Sequence, residues 1–270
     1  MNKEITRILL LLTIPFIGLL LKKLLLFFGL NEENLNDDLI SKILIRSALT
    51  GIVLFLIFKW GYGTFLKQYK NTLITTIILV PLVYISIQHV QDEINNAILS
   101  VSLFENILYC MSTFSVGVYE ELLFRVLAFS LVFSYFNNKK ENLFKSVILT
   151  SFLFGIVHFI NLFKITSYSV IIQVIFAIGI GLILQSLLLR FKNIFIVITL
   201  HALINYWGMY QSYFSFPESV SDVEGNSSFS SSLIWSILIF GGFFLPISYL
   251  ILKPVIRNAP QFSIESIDKA

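Results

Sequence analysis

Tyr168–Leu189 reads YSVIIQVIFAIGIGLILQSLLL, a stretch without one charged side chain. At about 1.5 Å per residue, a helix of that length crosses the roughly 30 Å of hydrocarbon in a bilayer. Charged residues flank it, with Lys164 before and Arg190 and Lys192 after. The same alternation extends in both directions. Apolar runs fall at roughly 5–29, 40–58, 72–90, 106–135, 143–163, 194–214 and 232–252, and most of the charge lies between them. Backbone polar groups in lipid must be satisfied within the segment, so the runs are helices. The pattern predicts an all-α, polytopic membrane bundle of about eight transmembrane helices.

Composition agrees. The chain of 270 residues is 56% hydrophobic and 13% charged, about half the charge of a soluble domain, which is about 25%. The net charge of +3 is small and no basic run suggests nucleic acid. The one cysteine, Cys110, excludes an internal disulfide and a cysteine-based metal site. It lies in an apolar run and reads as a small buried hydrophobe. Lys3 and Arg7 before the first run resemble the start of a signal peptide, but no small-x-small cleavage site follows, so this is an uncleaved first span. Lys22-Lys23 interrupts it, and the span is expected to bend or end there.

The chain divides into N-terminal helices (1–105), a core (106–214), and an outer loop, last helix and tail (215–270). Lys and Arg concentrate before span one, after spans two, four, six and eight, and in the tail. Cytoplasmic loops carry that excess, so both termini are placed in the cytoplasm. Lys42, Arg46 and Lys164 are exceptions near the outer side. Gly179 and Gly181 allow close packing of span six.

Against this apolar background four polar residues stand out: Glu120, His158, His201 and Asn205. An ionisable side chain at mid-membrane costs roughly 2.5–3.5 kcal/mol or more, so such residues mark function. Each sits in a short motif. In Glu120-Glu121-x-x-x-Arg125, Glu121 and Arg125 are four apart on one helix face and form an ion pair. Glu120 is turned about 100° away and has no local partner, which suits it to proton transfer. In Phe154-x-x-x-His158 the ring covers the imidazole, and Asn161 lies near enough to face the site. In His201-x-x-x-Asn205 an imidazole and a carboxamide share a face, and both can donate to a developing oxyanion. Measured from the cytoplasmic helix ends, Glu120, His158 and His201 lie roughly 14–23 Å deep. They are expected to meet in one cavity nearer the cytoplasm. His89 borders a polar loop and reads as solvated.

Glu-Glu-x-x-x-Arg, Phe-x-x-x-His and His-x-x-x-Asn on successive spans, in that order over about 115–210, resemble the CPBP family. That family, also called Abi, groups type II CAAX prenyl proteases with bacteriocin-processing and immunity proteins. The resemblance implies about eight helices around a cytoplasm-facing cavity and peptide-bond hydrolysis without a covalent intermediate. Glu120 and His158 would activate water, His201 and Asn205 would hold the oxyanion, and Glu121, Arg125 and Phe154 would support the site. Glu120, His158 and His201 also match a catalytic zinc triad in type, so the cofactor is either none or a divalent metal such as zinc. The expected partners are the lipid bilayer and a membrane-associated peptide or protein substrate, in what composition suggests is a bacterial cell membrane. The alternative is a non-enzymatic immunity or regulatory protein that binds a peptide in the same cavity. A proton-coupled transporter is disfavoured by the lack of an inverted repeat.

Overall fold

The computed structural model describes residues 3–31, 33–66, 102–163, 167–214 and 226–258. The expected span at 72–90, with Pro81 and His89, lies outside them. The described chain is all helical. It comprises α1 (Lys3–Phe27), α2 (Leu35–Lys59), α3 (Leu103–Glu120), α4 (Phe129–Tyr135), α5 (Leu143–Val157), α6 (Ser167–Phe191), α7 (Ile194–Phe214), α8 (Asn226–Ile239) and α9 (Leu245–Asn258). A π-helical segment, Glu121–Ala128, joins α3 to α4, and another, Phe240–Phe244, joins α8 to α9. The nine helices therefore form seven rods. Five stretches are long and apolar enough to cross a membrane: Lys3–Phe27, Leu35–Lys59, Leu143–Leu162, Ser169–Phe191 and Leu233–Arg257. The protein is thus a polytopic helical membrane protein.

Local sequence explains where the helices begin. The Asn34 side chain accepts from the backbone N–H groups of Asn36 and Asp37, and Asp37 and Asp38 occupy the first turn of α2. Both features offset the unpaired N–H groups and positive dipole at a helix start. Ser102 and Glu105 form a reciprocal capping box at α3. α1 runs unbroken through Lys22 and Lys23 to Phe27, so the expected early end is replaced by a continuous helix. The backbone hydrogen bonds of an α-helix are internal, and two long side chains at its lipid-water end are no reason to break it.

The rod α3–π–α4 is the axis of the bundle. All eight residues of Glu121–Ala128 are buried. α2 and α7 pack on α3, α6 packs on α5 and α9, and α1 lies against α2 and α4. A Cβ on Gly179 would fall 2.4 Å from the Phe244 ring, and one on Gly181 would fall 3.1 Å from Ser151 Cβ. Both glycines thus serve the close packing expected of them. Cys110, expected to be buried, is exposed on α3 beside Met111 and Phe114. In a membrane protein the lipid-facing surface is apolar, so an apolar run does not by itself imply burial in the core.

The two ends of the bundle differ in charge. Arg7 lies 4.9 Å over the Trp60 ring, Tyr62 just past α2 hydrogen-bonds Ser134 at the end of α4, and Phe144, a few residues after α4, meets Tyr249 edge-on, so the start of α1, the end of α2, the start of α5 and α9 gather at one end. Lys59, Lys145, Lys253 and Arg257 belong to these elements. The α1–α2 turn lies at the opposite end, with the acidic Asp37 and Asp38.

Candidate active site

The π-helical segment starts at Glu121, one residue past Glu120, so the winding changes inside the first motif. The helix is unbroken at Gly117. π-Helical turns are rare and recur at functional sites. Gly117 instead sets an approach distance. A Cβ there would lie 2.8 Å from the Ile198 carbonyl oxygen and 3.4 Å from Ala202 Cβ. α3 and α7 therefore touch backbone to backbone, which carries His201 to the two glutamates.

Glu121 is fully buried and both its oxygens are engaged. Oε2 accepts from Arg125 Nε at 3.0 Å, the intrahelical pair expected from the spacing. Oε1 accepts from His201 Nδ1 at 2.7 Å. A carboxylate offers only acceptors, so Nδ1 carries a proton and Nε2 is turned away from Glu121. Nε2 lies 3.5 Å from Glu120 Oε2. Glu120, read from sequence as lacking a local partner, has this distant one, and its side chain keeps 22% of its surface exposed.

Phe154 connects the motifs. It is buried, and the Arg125 guanidinium carbon lies 4.4 Å over its ring. The rings of His158 and His201 meet it edge-on at 4.9 Å and 5.8 Å. Phe154 thus does more than cover His158. It supplies an aromatic face to a buried cation whose Nη1 and Nη2 have no hydrogen-bond partner among the described residues. His158 opens a 3-10 turn, His158–Phe163, at the end of α5. Its Nδ1 donates to the Phe154 carbonyl oxygen at 2.9 Å, which leaves Nε2 as the nitrogen able to accept.

Glu120 and His158, from different rods, line one cavity of about 250 Å³ together with Tyr119 and Phe124. His201 and Asn205 are not among its lining residues. His201 sits behind Glu120, and Asn205 is half-buried one turn further along α7. The backbone there is fixed by Tyr109, whose hydroxyl donates to the Asn205 and Tyr206 carbonyl oxygens at 3.3 and 2.9 Å. Asn161 bonds Gln173 at 2.9 Å and is also absent from the lining.

Other lining residues had no functional reading in the sequence. The Tyr119 hydroxyl is buried without a hydrogen-bond partner among the described residues. Lys22, Lys42 and Arg46 also face the cavity, from α1 and α2. The signal for Lys42 and Arg46 was their misfit to the charge rule for topology.

The cavity extends along α1 from Pro15 to Lys22 and along α2 from Leu49 to Ser41, toward the α1–α2 turn. Both described chain ends lie at the other end. The expectation of a cytoplasm-facing cavity and that of cytoplasmic termini therefore separate. The depth estimate behind the first assumed spans level with one another, whereas His158 lies near the end of its helical rod and His201 near the start of its own.

The triad Glu120, His158 and His201 was also a candidate metal site. Among the described residues, no three His, Cys, Asp or Glu side chains group as a metal would require. The three side chains are thus not gathered around one point, and no step below is routed through an ion.

Residues 102–207 match the family model of type II CAAX prenyl endopeptidases, Rce1-like. The chain carries a domain of this family. The Rce1-like segment contains all seven residues of the three motifs, and it includes the buried Glu121–His201 pair. No curated protein and no solved structure matches the chain. As a family of endopeptidases, it implies a peptidase acting on membrane protein substrates.

Proposed function

We propose that this protein is an intramembrane endopeptidase that hydrolyses a peptide bond of a membrane-associated peptide or protein. One observation carries the reading. Glu120 and His158 face a common cavity within the bundle, and Glu120 is backed by the buried Glu121–His201 pair.

Water held between Glu120 and His158 loses a proton to the Glu120 carboxylate as its oxygen attacks the scissile carbonyl carbon. His158 accepts a hydrogen bond from that water through Nε2, since Nδ1 is committed to Phe154. The carbonyl oxygen becomes an oxyanion, to which His201 Nε2 and the Asn205 carboxamide donate once substrate binding has brought them, from outside the cavity lining, into reach. Donation from Nε2 requires His201 to carry both protons, because Nδ1–H is bound to Glu121. Glu120 then passes its proton to the leaving nitrogen. The products are a carboxylate and an amine, and no bond to the enzyme forms. The setting proposed is a bacterial cell membrane, with about eight spans and both termini cytoplasmic.

The test compares peptides in membranes containing wild-type protein or Glu120→Gln at matched expression. Peptides released only by wild type support the hydrolase and identify its substrates. Identical peptide pools, with both proteins folded, would overturn it in favour of a binding or immunity protein.

A further inference from the structure

A second concavity, of about 490 Å³, shares no lining residue with the cavity that holds Glu120. It is a groove between α5, α6 and the last rod, Leu233–Arg257, and Lys145 is the one charged residue in its lining. Lys145, Leu149 and Phe152 follow one another along a single face of α5. Leu149 and Phe152 are exposed, whereas Leu182 of α6 is buried and closes the bottom. Phe240 and Leu245 line it from the last rod.

The groove has a charged end and an apolar end. The rings of Phe144 and Tyr249 meet edge-on at 5.7 Å, which sets Lys145 beside the Tyr249 turn of α9. From there the groove runs along α5 to Phe152 and along the last rod to Phe240, roughly 10 Å and 13 Å at the helical rise. Half of a bilayer's hydrocarbon is about 15 Å thick. The groove is therefore nearly as long as one leaflet is deep, and Lys145 stands at the level of the headgroups. Lys253 follows Tyr249 by one helical turn and brings a second cation to this end. Both lysines are exposed. Among the described residues neither forms a salt bridge, not even Lys145 with Glu141 four residues earlier.

We propose that this groove binds one acidic phospholipid, its phosphate held by Lys145 and Lys253 and one acyl chain lying over Leu149 and Phe152. A chain in a groove touches protein on several sides where a flat helix face offers one, and such contacts accumulate. The two ammonium groups choose the headgroup, because they attract one that carries net negative charge more than a zwitterion. The Tyr249 hydroxyl stands at the same depth, where interfacial tyrosines meet headgroups. A second copy of this chain is the less suitable occupant. Packed here about a two-fold axis, it would set the two lysines against their own counterparts. The site is separate from the cavity of Glu120 and does not depend on the hydrolase reading.

The test uses the full chain in a non-ionic detergent and native mass spectrometry, which counts both bound lipids and chains. Dioleoyl phosphatidylglycerol and dioleoyl phosphatidylcholine compete for the same sample, and glycerol 3-phosphate serves as the headgroup without chains. One phosphatidylglycerol per chain is expected, bound about tenfold more tightly than phosphatidylcholine. Lys145→Gln and Lys253→Gln should each narrow that ratio several-fold. Leu149→Trp, which fills the groove, should lower phosphatidylglycerol binding, whereas Leu20→Trp, at an exposed position on α1, should not. The ratio is robust to a partial loss of folded protein, because both lipids are measured on the same molecules. Equal binding of the two lipids, or a ratio unmoved by the lysine variants, would overturn the site. Sensitivity to the lysines but not to Leu149→Trp would mean a charged surface without a seated chain, and would overturn it too. So would glycerol 3-phosphate binding as tightly as the lipid. A lipid-free dimer that Leu149→Trp dissociates would give the groove to a second copy and end the proposal.

Discussion

His201 Nδ1 donates to Glu121 Oε1 at 2.7 Å, and this bond determines which nitrogen meets Glu120. With Nδ1 held, the ring presents Nε2 at 3.5 Å from Glu120 Oε2. The second glutamate of the motif thus acts through the histidine of another span.

Replacing Glu121 tests that role. Glu121→Gln keeps the shape but removes the charge that Arg125 faces, and it offers only one oxygen where two are used. Loss of the bond that orients His201 should lower activity by roughly tenfold or more, the effect of about 1.4 kcal/mol on the barrier. Leaving Arg125 as an uncompensated buried cation costs about 3–5 kcal/mol. Both activity and thermal stability should fall. Glu120→Gln, at a partly exposed position, should abolish hydrolysis with a much smaller loss of stability. Equal stability losses in the two variants would contradict this division of labour.

Among the described residues, Arg125 is held by one polar contact and one aromatic face. Its Nε bonds Glu121, and its guanidinium lies over Phe154. Arg125→Lys keeps the charge but loses the planar group that makes both contacts at once. We expect lower thermal stability and lower activity, with Phe154→Leu additive to neither. A double-mutant cycle on thermal unfolding checks this, and a coupling near zero between Arg125 and Phe154 would count against the stacked arrangement.

Gly117 fixes how near α3 comes to α7. A Cβ there would meet the Ile198 carbonyl oxygen at 2.8 Å. Backbone cannot move aside as a side chain does, and overpacking of this kind typically costs about 1–3 kcal/mol. Gly117→Val should separate Glu121 from His201 and reduce hydrolysis, even at temperatures where the protein remains folded. Full activity in a folded Gly117→Val protein would show that the α3–α7 contact does not position the site.

How far the sequence reveals this arrangement depends on the range of each interaction. The apolar runs give the five long spans directly, since hydrophobic length is a local property. The Glu121–Arg125 pair is equally local and follows from the helical repeat. The Glu121–His201 bond joins residues 80 apart, and no periodicity announces it. The π-helical winding at Glu121 likewise has no pattern of its own. Lys42 and Arg46 are visible only as exceptions to the topology rule. Their common cavity with Lys22 depends on how α1 and α2 pack.

The donor set bears on metal dependence. Among the described residues no three suitable donors are grouped around one point, although the Nδ1–H bonds of His158 and His201 leave both Nε2 atoms free. Hydrolysis by wild type should be unchanged after dialysis against a strong chelator. A loss restored by zinc would show that Glu120, His158 and His201 close around an ion during the reaction, a rearrangement of α5 relative to α7.

Topology offers the last prediction, and it separates two expectations that the sequence joined. Basic residues collect at the end that carries Lys3, Lys59, Lys145 and Arg257, and the charge rule predicts a cytoplasmic location for that end. The cavity extends toward the other end, so it is predicted to open on the outer face. Single cysteines introduced as Lys22→Cys and Arg257→Cys, in a Cys110→Ser background, would report on each. An impermeant maleimide applied to intact cells should label the first and reach the second only after permeabilisation. The reverse pattern would place the cavity on the cytoplasmic side, and the cations of α1–α2 would then lie at the cytoplasmic surface. Substrates would have to approach from that side, and the basic residues at the opposite end would stand as an exception to the charge rule.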